Sequence, residues 1–493
     1  MKKIFLLMLV LMLGLCLLFV SCGKASEDDE DKIDSDEKGD KDEADGTDSD
    51  DDGKTEDNTV KYDYDMSTYI SIPDYKSHTF DINEDEIKIA ISAYLINYAS
   101  EYSVNRGDKI QVDMKFYMPV DSVVDAKGEE IIELRQEGIW LQSVATPNAN
   151  GDYQISSQLE NALLNAKIGI TVSKLLTLDD KFFDENYRNK KLFVDMTVKN
   201  KICEKGDVLT ASYTGYFVDE NGEIVKENGE DKTFDTSVNS PFFIGSHLAI
   251  DDFEKGLVGM TLGEEKDIYA TFPNDYEAMP SLAGKRVLFK VKIKSYYTPP
   301  SYNDEFVKNY FNGFETVDEF EESLMKEYIR EKVYDFIDKN AQALKYPSKE
   351  YEMANEQLEE VAKPFIEQYG MTVDEYIESN YSMTRDEYIK ANMKTEMIFY
   401  ALRHMIGTDA VPTETEIAIE RQKLIDQYTR DYMMDEDLAQ SQAKKKASEY
   451  VEALGENYIY ENVMYSKIDE IIPNQVKTNL IPSEKEYVWE INK

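Results

Sequence analysis

Apolar and polar residues tend to alternate along four stretches: 106–118 (RGDKIQVDMKFYM), 190–200 (KKLFVDMTVKN), 205–217 (KGDVLTASYTGYF) and 285–294 (KRVLFKVKIK). A period of two turns one side of each strand toward a core. Residues 74–83 read as a further strand. Elsewhere the period becomes helical: residues 84–101 carry Ile87, Ile91, Tyr94, Leu95 and Tyr98 at helical spacing, and a short turn reads across 250–257. Beyond Pro299-Pro300 only the helical pattern remains. There Thr316/Glu319, Thr372/Glu375, Thr384/Glu387 and Thr413/Glu416 have capping-box spacing, and Gly370 and Gly407 sit where helices should end. Phe320, Leu324 and Tyr328, then Ile398, Leu402 and Met405, draw apolar stripes. The pattern predicts an α+β chain: antiparallel sheets wrapped on short helices, then an all-helical region.

The strands come in two sets. The opening strand at 106–118 lies beside that at 205–217 as a copy. Residues 163–175 match 256–268, with Gly169 set against Gly259 and Val172 against Leu262. Residues 190–200 match 285–295, with Phe193 set against Phe289. Three matches in one order predict a tandem repeat. The copies differ in content. The second gathers aromatic residues where its elements would converge. The first has Met114 for Tyr213, Phe116 for Gly215, Leu163 as the counterpart of Phe253, and no Phe-Asp pair within 121–158.

Charge and composition narrow the function. Against 55 Lys and Arg stand 99 Asp and Glu, a net charge of −44 over 493 residues, which disfavours nucleic acid. Residues 26–58 are almost wholly Asp, Glu, Lys, Gly and Ser, and are expected to form a disordered tether. His78, His247 and His404 are too scattered for a metal site, so no metal or cofactor is expected. Lys2 and Lys3 precede an apolar run, 4–20, that ends in Phe19-Val20-Ser21-Cys22. This resembles a bacterial lipoprotein signal and implies lipid attachment at Cys22 on the extracytoplasmic face of a membrane. Cys16 would leave with the signal, so Cys203 would be the one thiol left; it reads as a strand residue rather than a nucleophile.

Residues 205–293 resemble the FKBP-type peptidyl-prolyl isomerases. The resemblance rests on Tyr213-Thr214-Gly215, Phe234-Asp235, Ile244-Gly245 and Ala249-Ile250 leading into Phe253-Glu254-Lys255-Gly256. TFPNDYEA followed by LAGKRVLFKVKI is similar to the isomerase domain of trigger factors. Residues 74–87, 300–332 and 368–396 resemble the segments that flank that domain in the same family. The resemblance implies a pocket with Tyr213 and Phe289 on one wall, Phe234 and Phe242 on the other, and Phe253 as the floor. It further implies that the Ile250 backbone N–H serves a substrate carbonyl, that Asp235 lies near the twisting amide, and that Tyr276 closes the rim. The family's ribosome-docking domain has no counterpart here; the lipid signal and tether stand in its place, so a ribosomal role is not expected.

The expected organisation is a signal peptide at 1–21, an acidic tether at 22–73, a degenerate FKBP-like domain at 74–200, an isomerase domain at 201–299 and a helical chaperone domain at 300–493. The function expected is a membrane-anchored prolyl isomerase and chaperone acting on unfolded secreted chains that contain X–Pro bonds. A holdase with a vestigial pocket is the alternative. A solute-binding lipoprotein would need alternating strands and helices around parallel sheets, which the pattern lacks.

Overall fold

The computed structural model describes residues 62, 64–120, 123–276, 278–435 and 438–492; the expected signal, Cys22 and most of the expected tether lie outside them. Two units are present. One comprises Thr79–Ile329 with Thr478–Lys493, the other the residues up to His78 with Arg330–Lys477.

The first unit opens with β1 (Thr79–Asn83) and α1 (Glu84–Asn97). The Asn83 side chain accepts the Asp85 N–H at 3.0 Å, and Glu84, Asp85 and Glu86 face the positive end of the helix dipole. Ile87, Ile91 and Leu95 are buried, as their spacing predicts. After β2 (Ser100–Glu101) come β3 (Ile110–Val120), β4 (Val123–Glu130), β5 (Gln136–Leu141), α2 (Ser157–Ala162), β6 (Thr171–Thr177) and β7 (Lys191–Lys201). The second set is β8 (Val208–Phe217), β9 (Thr233–Phe243), α3 (Asp251–Leu257), β10 (Glu265–Thr271) and β11 (Arg286–Thr298). The first sheet runs β4-β3-β7-β6, with β5 also on β3; the second runs β9-β8-β11-β10, with β2 also on β11. Buried side chains of the two sheets form one continuous cluster.

The shared topology bears out the repeat, and hydrogen bonds correct its register. Val104 N–H donates to the Ala166 carbonyl and Asn165 N–H to that of Val104; likewise Cys203 donates to Met260 and Gly259 to Cys203. Asn165, not Gly169, therefore stands where Gly259 does, and both have left-handed φ, 65° and 87°. Gly169 corresponds to Gly263, since their amides reach Val198 and Ile293; the Val172/Leu262 match falls with the same shift. Phe116 pairs with Val194 as Gly215 pairs with Phe289, so Val194 rather than Phe193 is the counterpart of Phe289. The one-residue slip in the Phe193 match would have turned that strand's core face to solvent. Matching one aromatic letter to another concealed it.

Where the repeats meet, Lys201 is 1% exposed and lies 3.1 Å from Asp108 and 3.2 Å from Asp207, the aspartates of the two opening strands. Its ammonium also faces the rings of Tyr102 and Tyr296. Burial disfavours that charge, but the two carboxylates outweigh it and raise the Lys201 pKa. Cys203 sits beside this cluster, fully buried, and burial pushes its thiol pKa well up. It is a core residue in the link between strands, with no nucleophilic character.

Next along the chain come α4 (Asp304–Tyr310) and α5 (Val317–Asn340), which carries the chain from one unit into the other. The second unit is built on α6 (Ser348–Tyr369), α7 (Val373–Tyr381), α8 (Arg385–Ile406), α9 (Glu414–Asp435) and α10 (Gln440–Ile471). Both halves of the capping box form at Thr372, Thr384 and Thr413. At Thr316 the hydroxyl accepts the Glu319 N–H, but the Glu319 carboxylate takes the Glu315 N–H instead, one residue upstream. Gly370 ends α6 with φ 66°, and Gly407 ends α8. Ile398 and Leu402 are buried, whereas Met405 is exposed.

Two expected boundaries move. Tyr62, Met66 and Ile70 are buried, Tyr62 donates to Glu396 at 3.1 Å, and Ile70 pairs with Ala343, so folded structure begins upstream of residue 74. At the other end, β12 (Lys477–Ile481) pairs with β1, and the residues after it return to the first unit. Residues 300–493 are thus not one helical piece. Among the described residues no helix is long and apolar enough to cross a membrane.

Candidate functional site

The second sheet curls over α3, and the aromatic residues of both meet between them. Phe253, on the first turn of α3, is 3% exposed. Its ring centroid lies 4.8 Å from Phe289 of β11, 5.0 Å from Phe242 of β9 and 5.9 Å from Tyr213 of β8. Phe234 of β9 stands 5.5 Å from Phe289 across the sheet. Tyr213 is 6.1 Å from Phe242 and 5.9 Å from Phe289, so these five rings form one contiguous cluster. Most meet edge to face, as ring quadrupoles prefer.

Gly215 makes this arrangement possible. A Cβ there would lie 2.5 Å from the tip of the Phe234 ring. In the first repeat the same strand position holds Phe116, fully buried, with the rings of Phe182 and Phe183 at 5.6 and 6.2 Å. Phe116 thus takes in that repeat the space that the Phe234 ring takes in the second. Leu159, rather than the expected Leu163, stands where Phe253 does. Glu160 accepts the Ala145 and Ile155 amides as Glu254 accepts those of Gly245 and Ala249, which fixes the two short helices in register.

The polar groups are few. The Tyr213 hydroxyl donates to Asp235 at 2.7 Å, on the exposed side of the pocket. Burial and then this bond push the Tyr213 pKa up to about 12, so the hydroxyl keeps its proton at neutral pH. Ile250 caps α3 from an extended conformation, and its carbonyl accepts the Phe253 and Glu254 amides. Its own N–H makes no hydrogen bond among the described residues, which leaves it a donor at the mouth. The Glu254 carboxylate beneath is 5% exposed, and burial raises its pKa against the pull of the two amides it holds. Tyr276 stands at the rim, its ring 4.8 Å from Phe272.

All eight side chains or backbone groups singled out from the sequence thus gather at one place. Phe272 is the residue that sequence reasoning missed. It packs on Phe234, Tyr276 and Phe289, and the alternation of β10 running on into TFP was its signal. Among the described residues no cluster of His, Cys, Asp and Glu could hold a metal ion. Tyr213→Phe, which releases Asp235, is expected to cost about 0.5–1.5 kcal/mol of stability, measured by urea unfolding. Unchanged stability would show the bond to be idle.

A sheet packed on one short helix around a cluster of aromatic rings is the arrangement that the resemblance to FKBP-type domains implies. Residues 199–294 match the model of that family, FKBP-type peptidyl-prolyl cis-trans isomerase, and are such a domain. Beyond it the chain is similar to trigger factors. It is 36% identical over 190 residues to that of Caldicellulosiruptor bescii, covering 36% of this chain and 40% of that protein. To that of Agathobacter rectalis it is 32% identical over 233 residues, covering 44% and 49%. The chain thus spans less than half the length of these relatives.

Proposed function

We propose that the chain is a prolyl isomerase carried on a chaperone scaffold, anchored by lipid at Cys22 outside the cytoplasm, and acting on unfolded secreted polypeptides. The observation that carries the isomerase reading is the Ile250 N–H, which makes no hydrogen bond among the described residues, next to the aromatic cluster of Phe253, Phe242 and Phe289. Rotation about an X–Pro bond breaks no covalent bond and meets a barrier of about 20 kcal/mol. Conjugation is lost in the twisted state, so the amide is less polar there than when planar. A pocket of Phe253, Phe289, Phe242 and Phe234 seats the proline ring and favours that state, while the Ile250 N–H holds the carbonyl of the substrate. No general base is required. The helical unit, with its many tyrosines and methionines, would hold the unfolded chain that presents the proline.

The first repeat is assigned no isomerase role, because Phe116 takes the space of the Phe234 ring and Leu159 stands in place of the Phe253 ring. The experiment that tests the activity is a protease-coupled assay of X–Pro peptides with the intact chain; spontaneous rates at saturating protein would leave only the holdase. Anchoring has its own test. Radioactive palmitate is expected to label the parent and not Cys22→Ala, and an unlabelled parent would contradict it.

A further inference from the structure

We infer that residues 486–489, at the C-terminal end, are a positioning strap for the pocket loop 245–250, joined to it through His247. The inference rests on the isomerase reading, since that loop presents the Ile250 N–H and leads into Phe253. Comparison of the two repeats shows that the strap is a substitution. In the first repeat Glu160 holds the loop amides, and the Ala145 carbonyl accepts from Arg106 of the same repeat. In the second, Glu254 plays the part of Glu160, but Lys205 stands where Arg106 does, packed where a Cβ on Gly245 would be. The Gly245 carbonyl instead accepts the Val488 N–H at 3.3 Å. A bond made inside one repeat is made in the other by a segment more than two hundred residues away.

His247 supplies the second tie. It holds a left-handed φ of 59°, which residues other than glycine adopt uncommonly. Its Nδ1 lies 2.7 Å from Asp251 Oδ1 at the start of α3, and its Nε2 lies 3.4 Å from the Glu486 carbonyl. The Tyr487 ring stands 5.2 Å away. The strap in turn is bolted to α1. Tyr487 donates to Asp85 at 3.1 Å, Trp489 Nε1 to Ser92 Oγ at 2.9 Å, and Glu490 lies 2.9 Å from Lys88. Tyr487 and Trp489 are 1% and 4% exposed. A chain of contacts therefore runs from a rigid helix, through the strap, to the turn that aims the substrate donor. A donor misplaced by about 1 Å can cost on the order of a hundredfold in rate, so holding this loop matters to catalysis.

The test uses the full chain with Trp489→Ala, His247→Asn (Asn tolerates left-handed φ) and the two together. Two quantities are read: kcat/KM on an X–Pro peptide, and hydrogen–deuterium exchange of amides 245–250. Each single change is expected to lower kcat/KM by about tenfold. The double change should lower it no further, because both break one series of contacts. Exchange at 245–250 should rise several-fold while β8 and β11 keep their protection. Should Trp489→Ala fail to fold, Tyr487→Phe, which removes only the bond to Asp85, takes its place. Losses that multiply, or unchanged exchange at 245–250, would overturn the strap. Should the parent itself leave the peptide rate unchanged, the isomerase reading falls, and the exchange data still decide the strap.

Discussion

Replacing Gly215 by Phe and Phe234 by Ala in the same chain is expected to cut kcat/KM at least about a hundredfold while the sheet stays folded. The first repeat supplies the reason. There Phe116 occupies the position of Gly215 and packs fully buried against its neighbours. The same β-strand accepts the ring provided nothing else claims the space. In the second repeat the Phe234 ring claims it, within 2.5 Å of where the new Cβ would stand. Removing that ring makes room, and the incoming one lies beside Phe289, its cross-strand partner, on the pocket face. Repacking of this kind costs about 1–3 kcal/mol, readable as a lower urea midpoint with unchanged slope. Retained activity in the folded variant would show that the proline does not enter here.

Lys201→Met is expected to destabilise the first unit by about 3–5 kcal/mol, because removing one partner strands buried charge. The variant leaves Asp108 and Asp207 facing one another with no cation between them. Burial already pushes the Asp207 pKa up to about 6, although Lys201 opposes the rise. Without that opposition the folded-state value of Asp207 lies further above the unfolded one, about 3.9. Stability held by a raised carboxyl is present below the unfolded pKa and lost as pH rises through the folded one. The deficit of the variant should therefore shrink between pH 7 and pH 4, measured by urea unfolding at each pH. A deficit that is constant over that window would mean that the carboxylates are not the source of the loss.

The pocket was legible because short motifs, Tyr213-Thr214-Gly215, Phe234-Asp235 and Ala249-Ile250 leading into Phe253, carry the resemblance that implies it, although Ile250 and Tyr276 lie outside strands and helices. Tyr213, Phe289 and Phe253 each lie on the buried side of their element. The register of the repeat was not legible to the residue. An alternating strand resembles itself at neighbouring shifts, and Asn165 performs with a left-handed backbone what Gly259 performs as glycine. Lys201 sits in an unremarkable run of alternating residues, and only the folded chain shows two aspartates from different repeats converging on it. The strap at 486–489 was invisible for a similar reason. Its meaning lies in what Trp489 and Val488 reach, and no local pattern encodes a partner so distant in sequence. Residues 62–70 were read as part of a charged tether, yet Tyr62, Met66 and Ile70 had the apolar character to join a core.

The proposed function requires that the aromatic pocket of the second repeat rotate prolyl bonds. The most direct measurement is the rate of cis-to-trans conversion of an X–Pro peptide with the intact chain and with Phe253→Leu, which keeps an apolar floor but removes the ring. Acceleration is expected to rise with the concentration of the parent, and most of it to be lost in a folded variant. Spontaneous rates with the parent, or equal acceleration by both proteins, would contradict the proposed function.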